Sequence, residues 1–151
     1  MTSPCVALEG APRRELLRLE VAGDVYAVPV ERVREIVGLP PVTKVPRGPR
    51  ALHGVISLRG EIFEVIDLRL RLGLPAAQPS RRSRILVLHA DDGRAAGLLV
   101  DGVTQVLRVA EETLRPPASG ASRFVAGLCR HGQRFVSLLD LDRVMDLDAE
   151  R

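Results

Sequence analysis

Short stretches in which apolar and polar residues alternate run through most of the chain, separated by turns that contain Gly or Pro. Residues 15–21 follow this pattern, with the apolar side at Leu17, Leu19 and Val21. Residues 24–30 repeat the alternation after a turn at Gly23. A period of two over stretches of this length is typical of β-strands, and a short turn between two such stretches predicts a hairpin.

The spacing changes in the next segment, where apolar residues recur at intervals of three and four: Val30, Val33, Ile36 and Val37. Glu31 and Arg34 fall on the opposite side. This arrangement is typical of an amphipathic helix, and it predicts one or two helical turns over residues 30–37. Gly38 and the two prolines that follow must end this helix.

Further strands and two more short helices are predicted along the rest of the chain. Residues 42–49 are rich in Pro and Gly and predict a loop or an edge strand. Strands are expected at residues 51–58, 61–66, 84–89, 95–100, 124–129 and 134–139. A short helix is expected after Asp67 and another after Asp140, because an aspartate just before an apolar segment is a favoured helix N-cap.

The order of these elements occurs twice in the chain. A spacing of 73 residues links Gly54 with Gly127 and Asp67 with Asp140, and a spacing of 70 links Val33 with Val103. These matches predict a duplication, with repeat one at about residues 15–75, a connector at 76–83 and repeat two at about 84–147. Residues 1–14 lack any periodicity and are expected to form a flexible N-terminal tail.

Each repeat would contain five short strands with short helices at the crossovers, so the predicted fold class is mainly β. Five strands with one apolar face close economically into a small barrel, because closure removes exposed sheet edges. Two five-stranded barrels side by side are therefore expected. Units of this size bury little apolar surface alone, so we also expect a third apolar cluster between the barrels, with strands exchanged across the divide as one way to build it.

The composition fits a globular protein and excludes only a few other classes of protein. The 151 residues are 46% hydrophobic and 27% charged, which argues against disorder and against a pure coiled coil. Aromatic residues make up only 3%, so the core must be aliphatic. No apolar run is long enough to span a membrane or to form a signal peptide. A cytoplasmic protein without membrane insertion is therefore expected.

Patterns that would indicate catalysis or metal binding are missing. His53, His89 and His131 have no second ligand at a metal-binding spacing, and Cys5 and Cys129 form one pair at most. The sequence has no phosphate-binding glycine motif and no Gly-x-Ser-x-Gly segment. We therefore predict that the protein is not an enzyme and uses no catalytic residues, metal or cofactor.

The basic residues are mainly arginines, and the net charge is +3. A cluster at Arg81, Arg82 and Arg84 raises the alternative of a basic barrel that binds nucleic acid. Proteins of that class also stack bases on aromatic side chains, and the one tyrosine and three phenylalanines of this chain form no obvious strip. We therefore expect no nucleic-acid partner.

Polar or glycine residues interrupt three otherwise apolar segments, at Glu35, Gly54 and Arg59. A charged side chain at an apolar surface loses solvation unless it finds a partner, and a glycine permits close approach of a backbone. One hypothesis is an internal ion pair between Glu35 and Arg59, with glycines that serve turns. The other is a recognition groove, and the residue types alone leave both open.

Four segments resemble, in this order, the CheW family of chemotaxis coupling proteins: YAVPVERVREIV, VTKVP, HGVISLRGEIFEVIDLRLRLGLP and RAAGLLVDGVTQVL. The resemblance covers residues 15–147 and implies two five-stranded SH3-like β-barrels. It also implies a non-catalytic scaffold that joins the cytoplasmic tip of methyl-accepting chemoreceptors to the regulatory domain of a CheA-type histidine kinase. Such a scaffold would lie at receptor arrays beneath the membrane.

The resemblance further implies a receptor-binding groove between the barrels, formed by Val33, Glu35, Ile36, Gly54, Arg59 and Val103. A receptor helix would lie on the apolar side chains, approach closely at Gly54 and receive charge-assisted hydrogen bonds from Arg59. Arg59 can also brace the groove from within. The residues that bind the kinase are not identified by the sequence.

Two positions depart from the family pattern. Ser57 stands where the family usually has Asn, and Glu64 stands where it usually has Pro. Serine shortens the reach of a hydrogen-bonding group, whereas Glu64 restores a backbone donor and adds a charge to the strand. The alternative to a complete scaffold is therefore a specialised paralogue that binds only the receptor or only the kinase.

Overall fold

The structure is a computed structural model that describes residues 13–147, and within this range it contains eleven strands and two short α-helices. The strands are β1 (Arg13–Val21), β2 (Asp24–Pro29), β3 (Val33–Val37), β4 (Leu52–Leu58), β5 (Glu61–Asp67), β6 (Arg84–His89), β7 (Ala95–Val100), β8 (Gly102–Ala110), β9 (Leu114–Arg115), β10 (Val125–His131) and β11 (Arg134–Leu139). The helices are α1 (Leu68–Arg71) and α2 (Leu141–Met145), and 3-10 turns lie at Val30–Arg32 and Glu111–Thr113. The mainly β fold class is confirmed.

The strands form two mixed sheets, which we call the first and the second barrel. The first barrel has the strand order β3-β6-β7-β5-β4, and the second has the order β8-β1-β2-β11-β10-β9. The second barrel has one strand more than predicted because the two-residue β9 pairs with β10. Each barrel contains one parallel pairing, β5 with β7 in the first and β2 with β11 in the second.

The hairpin that begins each half of the chain lies in the barrel completed by the other half. β1 and β2 pair with β8 and β11, whereas β6 and β7 pair with β3 and β5. The β6–β7 hairpin is apolar on both faces. Ile85 and Val87 of β6 belong to the core of the first barrel, and Leu86 and Leu88 belong to a cluster that both barrels share. Burial on both faces explains why β6 is an almost continuous apolar run.

Three apolar clusters form the core of the protein. One fills the second barrel around Leu16 and Leu107, and another fills the first barrel around Phe63 and Val65. The largest takes residues from both barrels and from both helices. The third cluster that we expected from the small size of each repeat is therefore present.

The helix predicted over residues 30–37 is wrong. Only a 3-10 turn at Val30–Arg32 forms, and the chain continues as β3, an edge strand that pairs with β6. A shift in register between Val33 and Glu35 indicates an irregularity in this pairing. An extra residue of this kind breaks strict alternation and leaves apolar residues three apart, which imitates the spacing of a helix.

Both of the other predicted helices form, and an aspartate caps each. The Asp67 carboxylate accepts a hydrogen bond from the backbone N–H of Arg69 at 3.0 Å, and Asp140 accepts one from Arg143 at 3.2 Å. The predicted tail is shorter than expected because β1 begins at Arg13. The remainder of the predicted tail and residues 148–151 lie outside the described residues.

Two arginines of α1 link elements of the two barrels. Arg69 pairs with Asp101 at the β7–β8 junction through Nε–Oδ1 and Nη2–Oδ2 distances of 3.0 and 2.6 Å. Asp101 also accepts a hydrogen bond from the backbone N–H of Ala22 at 2.8 Å. The buried Arg71 donates to three carbonyls at the end of α2, those of Arg143, Val144 and Asp146, at 2.8, 2.9 and 2.7 Å. These bonds fix how the barrels meet.

Candidate partner-binding surface

The edge strands β3 and β8 occupy equivalent places in the two barrels, and each brings one valine to the shared cluster. Val33 of β3 and Val103 of β8 both pack against this cluster and remain partly exposed. The exchanged hairpins place both valines beside the shared cluster, because β6 pairs with β3 in the first barrel and β1 pairs with β8 in the second. Two predicted groove residues, one from each repeat, thus border the same apolar region.

Ile36 supplies exposed apolar surface on β3. Its exposed fraction is 44%, and Leu39 and Val45 in the following segment are exposed to a similar extent. Single exposed apolar side chains are common on protein surfaces, so exposure alone does not single out Ile36. Ile36 is a candidate contact residue because it follows Glu35 on β3 and adds apolar area beside the Glu35–Arg59 ion pair.

Glu35 and Arg59 form an ion pair that joins β3 to the turn between β4 and β5. The Arg59 side chain is 71% exposed and that of Glu35 is 23% exposed, so the pair lies at the surface. The hypothesis of an ion pair is thus correct, but the pair is not internal. Arg59 and Gly60 have φ angles of 48° and 85°, as a two-residue type I′ hairpin turn requires.

A second ion pair lies beside the first and ties the same elements together. Arg34 of β3 and Glu61 of β5 approach to 2.6 Å, and the Arg34 guanidinium lies 5.5 Å from the centre of the Phe63 ring. Exposed ion pairs stabilise a fold little, because water solvates the separated charges well. Their main effect here is to orient side chains on the surface of the first barrel.

Gly54 has a different explanation from the one expected. A Cβ atom at this position would lie 2.5 Å from the Thr43 carbonyl oxygen and 2.5 Å from Val42 Cγ1. Thr43 and Val55 exchange backbone hydrogen bonds of 2.9 and 2.8 Å, which hold the preceding segment against β4. The close approach that Gly54 permits is therefore made by the protein's own backbone, and the residue is buried.

The two departures from the family pattern lie on the outer face of the first barrel. Ser57 and Glu64 are both exposed, and in the register of β4 with β5 Ser57 lies opposite Ile62. Sequence reasoning missed Ile62, which is 74% exposed. The alternation of residues 61–66 carries a signal for it, but alternation alone does not say which face of a strand is outside.

The chemistry available in the described chain is limited. Residues 13–147 hold no group of three or more His, Cys, Asp or Glu side chains placed to bind a metal. Cys129 is fully buried, and burial raises the pKa of its thiol, which keeps it protonated at neutral pH. Cys5 lies outside the described residues.

The basic cluster of the connector makes contacts within the protein. Arg82 pairs with Glu20 at 2.7 Å, and Arg84 donates to the carbonyls of Arg81 and Ser83, each at 2.7 Å. These contacts occupy two of the three arginines considered for nucleic-acid binding. None of the helices between residues 13 and 147 has the length and apolar character needed to cross a membrane.

The arrangement defines a class of protein: two small barrels with exchanged hairpins, whose edge strands flank a shared apolar cluster and present a partly open surface. Residues 15–149 match the CheW-like domain family, and the chain belongs to this family. It is 36% identical over 135 residues to the chemotaxis protein CheW of Rhizobium meliloti, which covers 87% of this chain and 86% of the relative. It is 35% identical over 133 residues to the probable chemotaxis protein CheW of Rhizobium etli, with 85% of each chain covered.

A solved structure has the same fold. The crystal structure of the scaffolding protein TtCheW from Thermoanaerobacter tengcongensis superposes with a TM-score of 0.83 and 29% sequence identity. The match covers 89% of this chain and 94% of that one. The two SH3-like barrels implied by the sequence resemblance are consistent with this match.

Proposed function

We propose that this protein is a non-catalytic scaffold of a chemosensory pathway. It binds the cytoplasmic helical hairpin of a methyl-accepting chemoreceptor and the regulatory domain of a CheA-type histidine kinase. Two observations carry the proposal in a chain of the CheW-like family: Val33 of β3 and Val103 pack against the same apolar cluster, and an ion pair joins β3 to the Arg59 turn. The protein would act in the cytoplasm, at receptor arrays beneath the membrane.

The receptor-binding surface comprises the six residues Val33, Glu35, Ile36, Gly54, Arg59 and Val103. The valines and Ile36 offer apolar area to one face of a receptor helix. Arg59 has five N–H donors, and those not used by Glu35 can reach a carbonyl or carboxylate of the receptor. Glu35 orients Arg59, and Gly54 contributes indirectly by letting Thr43 lie against β4.

The kinase contact rests on similarity of fold. The regulatory domain of a CheA-type kinase is expected to have the same two-barrel fold, so an apolar end of either barrel can pack against it. The protein's part in signalling is then to hold two partners at a fixed distance, which needs a rigid body and no catalytic residue. The Arg69 and Arg71 bonds between the barrels suit that requirement.

A pull-down with the receptor hairpin and the kinase regulatory domain as separate baits tests the proposal. Ile36→Asp and Arg59→Ala should each weaken receptor binding by about 1–3 kcal/mol if these residues lie at the centre of the contact. Both should leave kinase binding unchanged. Val106→Asp is the matched control, because Val106 lies on the equivalent edge strand β8 and is 52% exposed. Val33 is less suitable because it packs against the shared cluster.

Unchanged receptor affinity in a folded Ile36→Asp, Arg59→Ala double variant would contradict the receptor contact. Capture of only one of the two baits by the unmodified protein would instead support the specialised paralogue. Glu64 favours that alternative, because it places a charge on the outer face of β5 where the family usually has proline.

A further inference from the structure

One end of the second barrel opens into a polar cleft of about 290 Å³. Four of the strands around it each carry a core residue of that barrel and, two positions away and so on the same face, a residue that lines the cleft. These pairs of core and cleft residues are Leu16 with Arg18, Leu107 with Gln105, Cys129 with His131, and Val136 with Arg134. The cleft is therefore the open mouth of the barrel, and we call it the second mouth.

The side chains of the second mouth suit an anion. Arg18, Arg134 and His131 donate hydrogen bonds there, and so does the amide of Gln105. Among the described residues, no Asp or Glu lines the cleft. Arg134 also has no carboxylate partner between residues 13 and 147. A concave site lined by cations concentrates negative charge from solution.

Arg18 is the clearest sign of a binding role, because it places a charge on the inward face of a barrel strand. Its side chain is only 23% exposed. Arg18 Nη1 donates to Thr104 Oγ1 at 2.9 Å and lies 3.5 Å from Glu20 Oε2. Within the described chain these bonds use only Nη1, so Nε and Nη2 are left to bind an anion. A guanidinium that is already held in place loses less conformational entropy when it binds.

An irregularity in β8 makes the Thr104 contact possible. Arg18 pairs with Gln105 and Leu19 with Val103, so Thr104 is an extra residue in β8. Its hydroxyl also donates to the Arg18 carbonyl at 3.4 Å. Bulges of this kind redirect side chains and are common beside active sites.

The one carboxylate that pairs with Arg18 in the described chain, that of Glu20, is shared with a second arginine. Arg82 of the connector approaches Glu20 to 2.7 Å, which is closer than the 3.5 Å between Glu20 and Arg18. Glu20 therefore neutralises Arg18 incompletely. Together with Arg134, this leaves a net positive charge on the side chains that line the second mouth.

The equivalent mouth of the first barrel lacks this chemistry. By strand register and by the spacing of the duplication, the equivalent residues are Val87 for Arg18, Glu35 for Gln105 and Glu61 for Arg134. Val87 is fully buried in the core of the first barrel. The backbone common to both barrels thus does not require a cation at these positions, and the donor set belongs to the second barrel alone.

We propose that the second mouth is a binding site for a small phosphate monoester. Arg18 and Arg134 would neutralise the two charges of the phosphoryl group, and Gln105 would add a hydrogen bond. Phe135 and Val25 line the same cleft and would contact the organic part of the compound. The volume lies near the lower limit of small-molecule sites, which favours a compound of few heavy atoms. A phosphate diester carries only one charge and suits two arginines less well.

This inference is separate from the proposed function, because none of the six residues of the receptor-binding surface lines the second mouth. A chain that failed to bind a receptor could still bind the phosphate compound. A chain without the phosphate site could still bind receptor and kinase.

A titration of the isotopically labelled protein with phenyl phosphate, followed by chemical shifts in a phosphate-free buffer, tests the proposal. We expect saturable shifts at the amides of Arg18, Gln105 and Arg134 and at the Nε–H of Arg18. Dimethyl phosphate, a diester, should bind at least about tenfold more weakly, because it lacks the second charge. Shifts that do not saturate and spread over the exposed arginines would overturn the proposal, and equal affinity for the diester would overturn the assignment to a monoester.

Three variants locate the site in the same titration. Arg18→Met and Arg134→Met should each weaken phenyl phosphate binding about tenfold, because each removes charge-assisted hydrogen bonds. Arg108→Met is the matched control: Arg108 lies on β8 of the same barrel, is 71% exposed and pairs with Glu15 away from the cleft. Arg134 is exposed, so its replacement tests the site even if Arg18→Met fails to fold. An equal loss in Arg108→Met, or unchanged affinity in Arg134→Met, would contradict the site.

Discussion

The two barrels share one strand topology, but they carry different side chains at the equivalent end. In the first barrel β3 supplies Glu35, which pairs with Arg59 in the hairpin turn. In the second barrel Gln105 of β8 and Gly132 of the turn take the equivalent positions, so no ion pair can form there. A cleft of about 290 Å³ lined by Gln105 lies at that end instead. The two barrels therefore share a strand arrangement but differ in surface chemistry.

The two barrels share residues that are needed for the conformation and packing of the backbone. Gly54 and Gly127 each leave room for a carbonyl, that of Thr43 or of Arg115, which a Cβ atom would approach to 2.5 or 2.6 Å. The backbone N–H groups of Asp67 and Asp140 donate to carbonyls at the starts of β4 and β10, both at 2.8 Å. Residues that shape the chain therefore occur in pairs, whereas the ion pair of Glu35 with Arg59 has no counterpart in the second barrel.

The largest loss in the free energy of unfolding is expected from substitution of Gly54 or Gly127. Gly54→Ala should destabilise the protein by about 2–4 kcal/mol, because it combines a clash with the Thr43 carbonyl and a φ of 154° that side chains rarely adopt. Gly127→Ala meets a similar clash without a left-handed φ and should cost less. Urea unfolding of the two variants measures the difference. A larger loss at Gly127 would show that the barrels are not equivalent in this respect.

The next largest loss of stability is expected in the helices, which make different contacts in the two halves of the chain. Arg71 of α1 binds the end of α2, whereas the equivalent residue of α2 is Val144, buried in the shared cluster. Arg71→Met should cost about 2–3 kcal/mol, because it removes the side-chain donor from one buried and two partly buried carbonyls at the end of α2. Arg143→Met, which changes an exposed arginine, is the control and should cost under about 1 kcal/mol in the same unfolding assay. Equal losses would contradict the bracing role of Arg71.

A smaller, pH-dependent effect is expected at Asp101. Partial burial would raise the pKa of this carboxyl, but hydrogen bonds from Arg69 and from the Ala22 N–H outweigh it and hold the pKa below its usual 3.8. A lowered pKa stabilises the fold above the unfolded-state value, and this stabilisation is lost as the pH falls through the folded-state value. Asp101→Asn should therefore cost about 0.5–1 kcal/mol near neutral pH and progressively less below about pH 4, because the pair is partly solvated. Thermal unfolding across this range would contradict the account if the difference grew in acid.

The smallest effect on stability is expected at Arg59. Because its ion pair with Glu35 is exposed, Arg59→Ala should change the free energy of unfolding by less than about 1 kcal/mol. The same variant should weaken receptor binding, so the two measurements separate a binding role from a structural one. A double-mutant cycle with Glu35→Gln in the unfolding assay would show coupling well above this limit if Arg59 acted mainly as a brace.

The hairpins could be predicted from the sequence because each has apolar alternation that a buried hairpin requires. β3 could not, because the irregular register near Val33 disturbs its alternation and imitates a helix. The capped helices were predictable from Asp67 and Asp140, since an N-cap is a local interaction. The exchange of hairpins depends on contacts between residues more than fifty positions apart, such as Val33 with Leu88, and no local pattern encodes it.

The candidate site, like the fold, could be predicted only in part from the sequence. The pairing of Glu35 with Arg59 was one of two hypotheses, and the structure shows the pair at the surface. Gly54 was noticed for the right physical reason, a close approach, but the approaching backbone belongs to Thr43. Ile62 and Phe135 were missed because a strand's alternation does not identify its outer face.

The central claim is that the two equivalent edges have different tasks: β3 faces the receptor through Glu35 and Ile36, whereas β8 contributes only Val103 and keeps Val106 outside the contact. Chemical-shift mapping of the isotopically labelled protein against an unlabelled chemoreceptor hairpin tests it most directly. The account predicts that the largest amide shifts fall on Glu35, Ile36, Arg59 and Val103, with little change at Val106 and Phe135. Shifts concentrated on β10 and β11, or no shifts at saturating receptor, would contradict it.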